Sequence, residues 1–192
     1  MKKTKNELAD LSASKPWHAH LNSLVEQAEY DKNKAEIRIA GKDWILIRSS
    51  TFRAMIEGTK KMLGSAAEQI WWEIAKHAGT EFARELLKTG TDAEEVPTWL
   101  ETFFTHGGWG VVQSKIDLTK KEAVIRIENC ATARRSKSNR PMCHFVSGFI
   151  SGVTYAITNE DRNCSETKCI AKGDPFCEFV VESPPDREHL SI

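Results

Sequence analysis

The chain has 192 residues, with 27 lysines and arginines against 27 aspartates and glutamates, so its formal net charge is zero. This length fits one domain, and a composition of 40% hydrophobic and 28% charged residues is globular and excludes wholesale disorder. A neutral chain also lacks the basic excess that is typical of nucleic-acid-binding proteins.

The first 35 residues are predicted to form an N-terminal helical extension. Their apolar residues follow helical spacing in an otherwise polar segment: Leu21, Leu24, Val25 and Ala28. No apolar core follows the charged start MKKTKNELADLS, which argues against a secretory signal peptide. The longest weakly polar run, 143–157, is shorter than the roughly 20 residues of a membrane span. We therefore expect a cytoplasmic protein with no membrane span.

A hairpin and four helices are predicted between residues 36 and 106. The hairpin pairs the β-rich runs 36–40 and 44–48 around Gly41-Lys42-Asp43. The first helix ends at Gly64, and Ser65 and Glu68 form a predicted capping box for the second helix. That second helix is expected to stop at Gly79, and the remaining two helices cover 81–88 and 98–106.

The second half of the chain is predicted to contain a sheet and one further helix. Strands are expected at 111–118, 123–128, 170–172 and 176–181, a helix at 143–156, and a flexible tail at 183–192. The loop 131–141 contains four basic residues and no acid, and we interpret it as a solvated loop rather than an anion site. Gly148, Gly152 and Ala156 form a stripe on the predicted helix, which indicates close packing of another element.

All five cysteines lie from Cys130 onward, and such clustering in a cytosolic chain suggests metal binding or chemistry before disulfides. Glu166 and Cys169 share one tight turn, and a hairpin about Gly173 would place Cys169 opposite Cys177. With Cys143 from the start of the helix, these groups can form a closed tetrahedral zinc site, which suits a structural role. Cys164 competes for a ligand place, and an iron–sulfur centre or a set of buried, unreactive thiols are the alternatives.

Two segments resemble the signature of the 4-vinyl reductase domain family: PMCHFVSGFISGVTYAIT at 141–158 and CSETKCIAKGDPFCEFVVE at 164–182. Residues 44–87 are similar in pattern, so the resemblance covers residues 36–182. The family includes sensor domains of phenol- and xylene-responsive transcription activators, small archaeal proteins, and a protein linked to bacteriochlorophyll vinyl reduction. The resemblance implies an α/β (α+β) fold, related to TRAPP trafficking subunits, with helices packed on an antiparallel sheet (the NO-signalling/Golgi-transport ligand-binding type).

The resemblance also implies a usually dimeric protein and specific site residues. Three cysteines and one glutamate hold a structural zinc in the aromatic-sensing members, and they correspond here to Cys143, Glu166, Cys169 and Cys177. His106 resembles a histidine that binds the phenol hydroxyl in those members. Aromatic residues near it are expected to line an apolar pocket between the helices and the sheet: Trp71, Trp99, Phe103, Trp109 and Phe149.

Three functions follow from these observations. The first is a zinc-stabilised domain that binds a small apolar or aromatic molecule, as a sensor or carrier, and acts through a protein partner. The second is an enzyme or accessory factor in tetrapyrrole vinyl reduction, although no dinucleotide, nucleotide or hydrolase motif supports an enzyme. The third is a protein-interaction scaffold. A cavity favours the first two, and a filled interior favours the third.

Overall fold

The computed structural model describes Glu26 and residues 28–39 and 41–182. Its strands are β1 (Ala28–Asp31), β2 (Glu36–Ile39), β3 (Lys42–Trp44), β4 (Val111–Asp117), β5 (Glu122–Glu128), β6 (Cys164–Lys168) and β7 (Cys177–Val181). Its helices are α1 (Ser49–Leu63), α2 (Ala66–Lys88), α3 (Val96–His106), α4 (His144–Thr158) and a short 3-10 helix (Ile170–Lys172).

The strands form two antiparallel sheets, which confirms the predicted mixed class. The small sheet has the order β1-β2-β3, and the main sheet has the order β4-β5-β7-β6. Strands β4 and β5 pair from Val111 with Glu128 to Asp117 with Glu122. The apolar face of the main sheet packs on α4, since Ile125 and Phe179 belong to the same buried cluster as Val146 and Ile150. Helix α4 therefore lies between the main sheet and α2.

Glycines allow the backbones of α2 and α4 to approach each other closely. A Cβ atom on Gly148 would lie 2.2 Å from the Trp72 carbonyl oxygen, and one on Gly152 would lie 2.0 Å from that of Lys76. The hydroxyl of Thr80 donates a hydrogen bond to the Gly152 carbonyl at 3.2 Å, across the two helices. The predicted close packing of the glycine stripe is therefore confirmed, and α2 is the element that packs on it.

The helical region differs from the prediction in two places. Helix α2 does not stop at Gly79 but continues to Lys88. Gly79 instead makes room for α4, since a Cβ atom there would lie 2.1 Å from the Phe149 carbonyl oxygen. The capping box is absent, since the Ser65 side chain makes no cap hydrogen bond. Glu68 instead accepts a hydrogen bond from Arg140 at 2.5 Å.

The strands also differ from the prediction. Residues 170–172 form a 3-10 helix, and the strand beside β7 is β6, with Lys168 opposite Glu178. Residues 28–35 of the predicted N-terminal helical extension are not helical: they form β1 and a turn, and Ala28 pairs with Ile39. A hairpin is present, but its second strand is misplaced in the prediction: Lys42 and Asp43, predicted to lie in the turn, belong to β3, and residues 45–48 form no strand. Residues 1–25 and 27 of the predicted extension, and the predicted tail, lie outside the described residues.

Among the helices that the structure describes, none is long and apolar enough to span a membrane.

Candidate metal centre and apolar cavity

Cys143, Glu166, Cys169 and Cys177 meet at one end of α4. Cys143 immediately precedes α4, Glu166 lies in β6, Cys169 follows β6, and Cys177 begins β7. One ligand atom from each residue can be chosen so that all four atoms lie within 4.8 Å of one another. The sulfur atoms of Cys143 and Cys177 are 3.8 Å apart, and all three thiols are buried. These residues are therefore close enough to hold a metal ion.

The turn between β6 and β7 explains why Cys169 and Cys177 come together. The Asp174 carboxylate accepts a hydrogen bond from the Cys169 N–H at 2.8 Å, and the 3-10 helix follows directly. Gly173, with a φ of 102°, occupies the left-handed region that closes this turn without steric cost. The Ile170 N–H donates a hydrogen bond to the Cys177 sulfur at 3.4 Å. A backbone N–H group therefore donates to the Cys177 sulfur, which would bind the metal as a thiolate.

Glu166 has one oxygen atom that is suited to a metal. Its Oε2 accepts a hydrogen bond from the Cys143 N–H at 2.8 Å, which fixes the carboxylate. Its Oε1 is buried and has no hydrogen-bond partner within the described part of the chain. Burial raises the pKa of this carboxyl to about 8. A buried acceptor without a partner is costly, and coordination of a cation would relieve that cost.

The thiols of the cluster interact strongly with one another. The pKa of Cys169 is lowered, because the thiols of Cys143 and Cys177 donate hydrogen bonds to it. The pKa of Cys143 is raised, because it hydrogen-bonds to the sulfur atoms of Cys130 and Cys169. Metal binding requires deprotonated thiols, so loading the site would release protons. Three thiolates and one carboxylate match the donor types of a closed structural zinc site.

The sequence singled out four residues here but passed over Cys130. Its sulfur lies 3.9 Å from that of Cys143 and 3.1 Å from the Thr132 hydroxyl oxygen. Cys164, the expected competitor, is buried in β6, and burial raises the pKa of its thiol. It does not belong to the group of ligand atoms that converge. The only sequence signal for Cys130 was its place at the start of the cysteine-rich region.

A cavity of about 520 Å³ lies under the β2–β3 hairpin, against α2 and α3. Mostly apolar and aromatic side chains line it: Ile39, Trp44, Ile45, Phe82, Leu86, Trp99 and Phe103. Polar residues also border it, and among them Lys42 and Glu85 form an ion pair with Nζ and Oε1 2.8 Å apart. This volume and lining are typical of small-molecule sites.

The residues predicted to line one pocket separate into two groups. Trp99 and Phe103 line the cavity, and Phe149 stacks on Phe103 with ring centroids 5.8 Å apart. Trp71 and Trp109 instead pack with Phe52 and Phe145 in a second aromatic cluster, in which Trp109 stacks on Phe145 at 5.2 Å. His106 ends α3 and is not part of the cavity wall.

Residues 123–183 match the family model of the 4-vinyl reductase domain, and they contain β5, α4, β6, β7 and all four candidate metal ligands. This segment is a 4-vinyl reductase domain. The match confirms the resemblance that the sequence suggested. The predicted domain limits of 36–182 are wider than the matched segment and stay a prediction.

Two uncharacterized proteins of Methanocaldococcus jannaschii are similar to this chain. MJ0745 is 34% identical over 83 residues, which are 43% of this chain and 44% of that protein. MJ0150 is 27% identical over 138 residues, which are 71% of this chain and 76% of that protein. The chain therefore spans less than half of the first relative and about three quarters of the second.

Three solved structures are similar to this chain in fold. The phenol-responsive sensory domain of the transcription activator PoxR, solved with phenol, has a TM-score of 0.69 at 17% identity and covers 82% of this chain and 85% of its own. A vinyl-4-reductase family protein from M. jannaschii has a TM-score of 0.51 at 18% identity, covering 72% and 83%. A trafficking protein particle complex subunit 3 from Naegleria fowleri has a TM-score of 0.53 at 14% identity, covering 70% and 91%. At these identities the likeness establishes the fold, including the expected relation to trafficking subunits.

Proposed function

We propose that this 4-vinyl reductase domain protein is a small-molecule-binding domain, a sensor or carrier, that takes an apolar or aromatic ligand into the cavity under the β2–β3 hairpin. The cavity is the observation that carries the proposal, since its volume of about 520 Å³ is sufficient for a molecule larger than phenol. The phenol-bound sensory domain of PoxR, which is similar in fold, supports the same function.

The chemistry of the cavity wall defines the ligand class. Trp44 and Phe103 face each other with ring centroids 5.8 Å apart, so the hairpin and α3 are joined by an aromatic contact beside the cavity. The Lys42–Glu85 pair and Thr91 border the same cavity. A ligand with an apolar body and a single polar end would match this wall. These polar groups take the orienting role that the sequence had suggested for His106.

Zinc is the metal that we propose for the cysteine cluster, with a structural role. Three thiolates and one carboxylate leave a tetrahedral ion no open position, which excludes substrate binding at the metal. When bound, zinc supplies a fixed link between the start of α4 and the β6–β7 turn. Free, buried thiols also fit a reducing compartment such as the cytoplasm.

A protein partner is the proposed route by which ligand binding is passed on. Large apolar side chains before and on α1 are exposed, with Ile45 at 91%, Leu46 at 74% and Met62 at 82%. Ile45 also borders the cavity, so a ligand there would contact one of these exposed residues. Large exposed apolar patches mark interaction sites. We expect a second copy of the chain to cover this surface, giving a homodimer.

A thermal-shift experiment with phenol, naphthalene and decanoic acid tests the binding function. A ligand at 100 times its dissociation constant adds about 2.7 kcal/mol to the free energy of unfolding. For a domain of this size, that increase raises the melting temperature by about 5–10 °C. We expect at least one probe to stabilise the protein, and Trp99→Ala to reduce the shift.

The matched control is Tyr30→Ala, which removes an exposed aromatic side chain that does not line the cavity. This variant should keep the shift of the wild type. If no probe stabilises the wild type, or if both variants respond alike, the proposed binding function is wrong.

A further inference from the structure

A fourth buried thiol, that of Cys130, lies beside the thiol of Cys143 at the candidate metal centre. Cys130 lies just after β5 and begins a turn in which the N–H groups of Ala133 and Arg134 both donate hydrogen bonds to its carbonyl oxygen, at 3.1 and 2.7 Å. This turn brings a residue from outside the predicted ligand set to the cluster. The Cys130 side chain is 1% exposed, so its thiol is not available to a surface partner.

The distance between the sulfur atoms of Cys130 and Cys143 fits that of two ligands of a shared metal. Two sulfur atoms bound at about 2.3 Å to one tetrahedral ion are roughly 3.8 Å apart. The sulfur of Cys143 lies 3.8 Å from that of Cys177 and 3.9 Å from that of Cys130. Cys143 therefore lies at the ligand-to-ligand separation from each of these two sulfur atoms. Cys130 is outside the set of ligand atoms that all lie within 4.8 Å of one another, so its side chain must move toward the ion to bind together with Cys169 and Cys177.

Glu166 is the ligand that can leave this site most easily. It supplies the only oxygen atom among the four candidate ligands. Its side chain also borders a polar, solvent-open groove of about 560 Å³, together with His144 and Ser165. After release from a metal, the carboxylate could keep its hydrogen bond to the Cys143 N–H and reach water in the groove.

We propose that Cys130 is a fifth metal-binding residue, which replaces Glu166 when the site holds a soft, thiophilic ion. Soft ions prefer thiolates to carboxylates, so such an ion would gain a sulfur ligand by this exchange. The resulting donor set is Cys130, Cys143, Cys169 and Cys177, each binding as a thiolate after its proton has passed to solvent. This inference rests on the proposed metal centre and extends it to a second class of ion.

Loading the metal-free, reduced full-length protein with Cd²⁺ alone tests the exchange. The ultraviolet cadmium–thiolate absorbance grows with the number of thiolates, and the ¹¹³Cd resonance moves downfield when sulfur replaces oxygen. We expect the wild type to give a four-sulfur resonance. Cys130→Ser should lose about a quarter of the absorbance, since one of four thiolates is removed, and its resonance should move upfield.

Two further variants keep the test decisive. Cys164→Ser removes a buried thiol outside the cluster, so its spectrum should match that of the wild type. Glu166→Gln should also match the wild type, because in the proposed site the Glu166 carboxylate does not bind Cd²⁺. A three-sulfur resonance in the wild type would overturn the inference while leaving the metal centre intact. So would a Cys130→Ser spectrum identical to that of the wild type. Failure of the wild type to bind either Cd²⁺ or Zn²⁺ would refute the metal centre itself.

Discussion

Adding one methyl group at Gly152 should separate α2 from α4 and destabilise the protein. The new Cβ atom would lie 2.0 Å from the Lys76 carbonyl oxygen and 2.8 Å from the Thr80 amide nitrogen. Ordinary contact needs more than 3 Å, so one helix must move by over 1 Å. Both neighbours are backbone atoms, and no side-chain rotation can relieve the overlap.

The expected magnitude combines two opposing effects. Overpacking of this kind costs about 3 kcal/mol at the upper end of its usual range. Alanine also favours a helix over glycine by about 1 kcal/mol. The net expectation for Gly152→Ala is a loss of about 2 kcal/mol in the free energy of unfolding. Disruption of the hydrogen bond from Thr80 to the Gly152 carbonyl would increase this loss.

Urea unfolding of Gly152→Ala and Gly58→Ala measures this effect with a matched control. Gly58 lies within α1, and a Cβ atom there would meet nothing within 4 Å. Gly58→Ala should therefore gain up to about 1 kcal/mol from helix propensity alone. If Gly152→Ala proves as stable as Gly58→Ala, the close packing of α2 and α4 described here is wrong.

Three other expectations concern the metal, the assembly and pH. Cys177→Ser should lose bound zinc in elemental analysis while Cys164→Ser keeps about one ion per chain; equal zinc in both would contradict the assigned site. Light scattering should return twice the chain mass of 21.6 kDa, and Met62→Glu should return a monomer, whereas a monomeric wild type would refute the dimer. Burial raises the pKa of Glu101, so the folded state favours the neutral carboxyl. The protein therefore loses stability as the pH rises from the pKa of Glu101 in the unfolded chain to its higher pKa in the folded state. Glu101→Gln should therefore be more stable, relative to the wild type, at neutral than at mildly acidic pH in denaturant titrations; a pH-independent difference would contradict this.

Local sequence patterns predicted much of the secondary structure. The strand-like runs 111–118 and 123–128 predicted β4 and β5 within one residue at each end, because the two strands pair with each other across a short turn. The spacing of Glu166, Cys169 and Cys177 predicted their convergence, because a single turn between β6 and β7 connects them. In both cases the determining contacts lie close together along the chain.

The errors occur where distant segments decide the outcome. Gly79 was interpreted as a helix end, and only its contact with the Phe149 backbone shows why a glycine stands inside α2. Cys130 precedes Cys143 by 13 residues, and nothing in that spacing indicates that their sulfur atoms are neighbours. Three tryptophans were predicted to line the pocket: Trp71, Trp99 and Trp109. Only Trp99 lines the cavity, because the position of the β2–β3 hairpin, which the sequence does not predict, leaves space beside it.

Indole N–H NMR signals provide the most direct test of ligand binding in the cavity. Trp44 and Trp99 line the cavity, whereas Trp71 and Trp109 pack with Phe52 and do not line it. Titration of the ¹⁵N-labelled chain with the probe that gives the largest thermal shift should move the Trp44 and Trp99 signals and leave those of Trp71 and Trp109 in place, with assignments from single tryptophan substitutions. Shifts confined to Trp71 and Trp109, or no shifts at a saturating probe concentration, would contradict binding at this cavity.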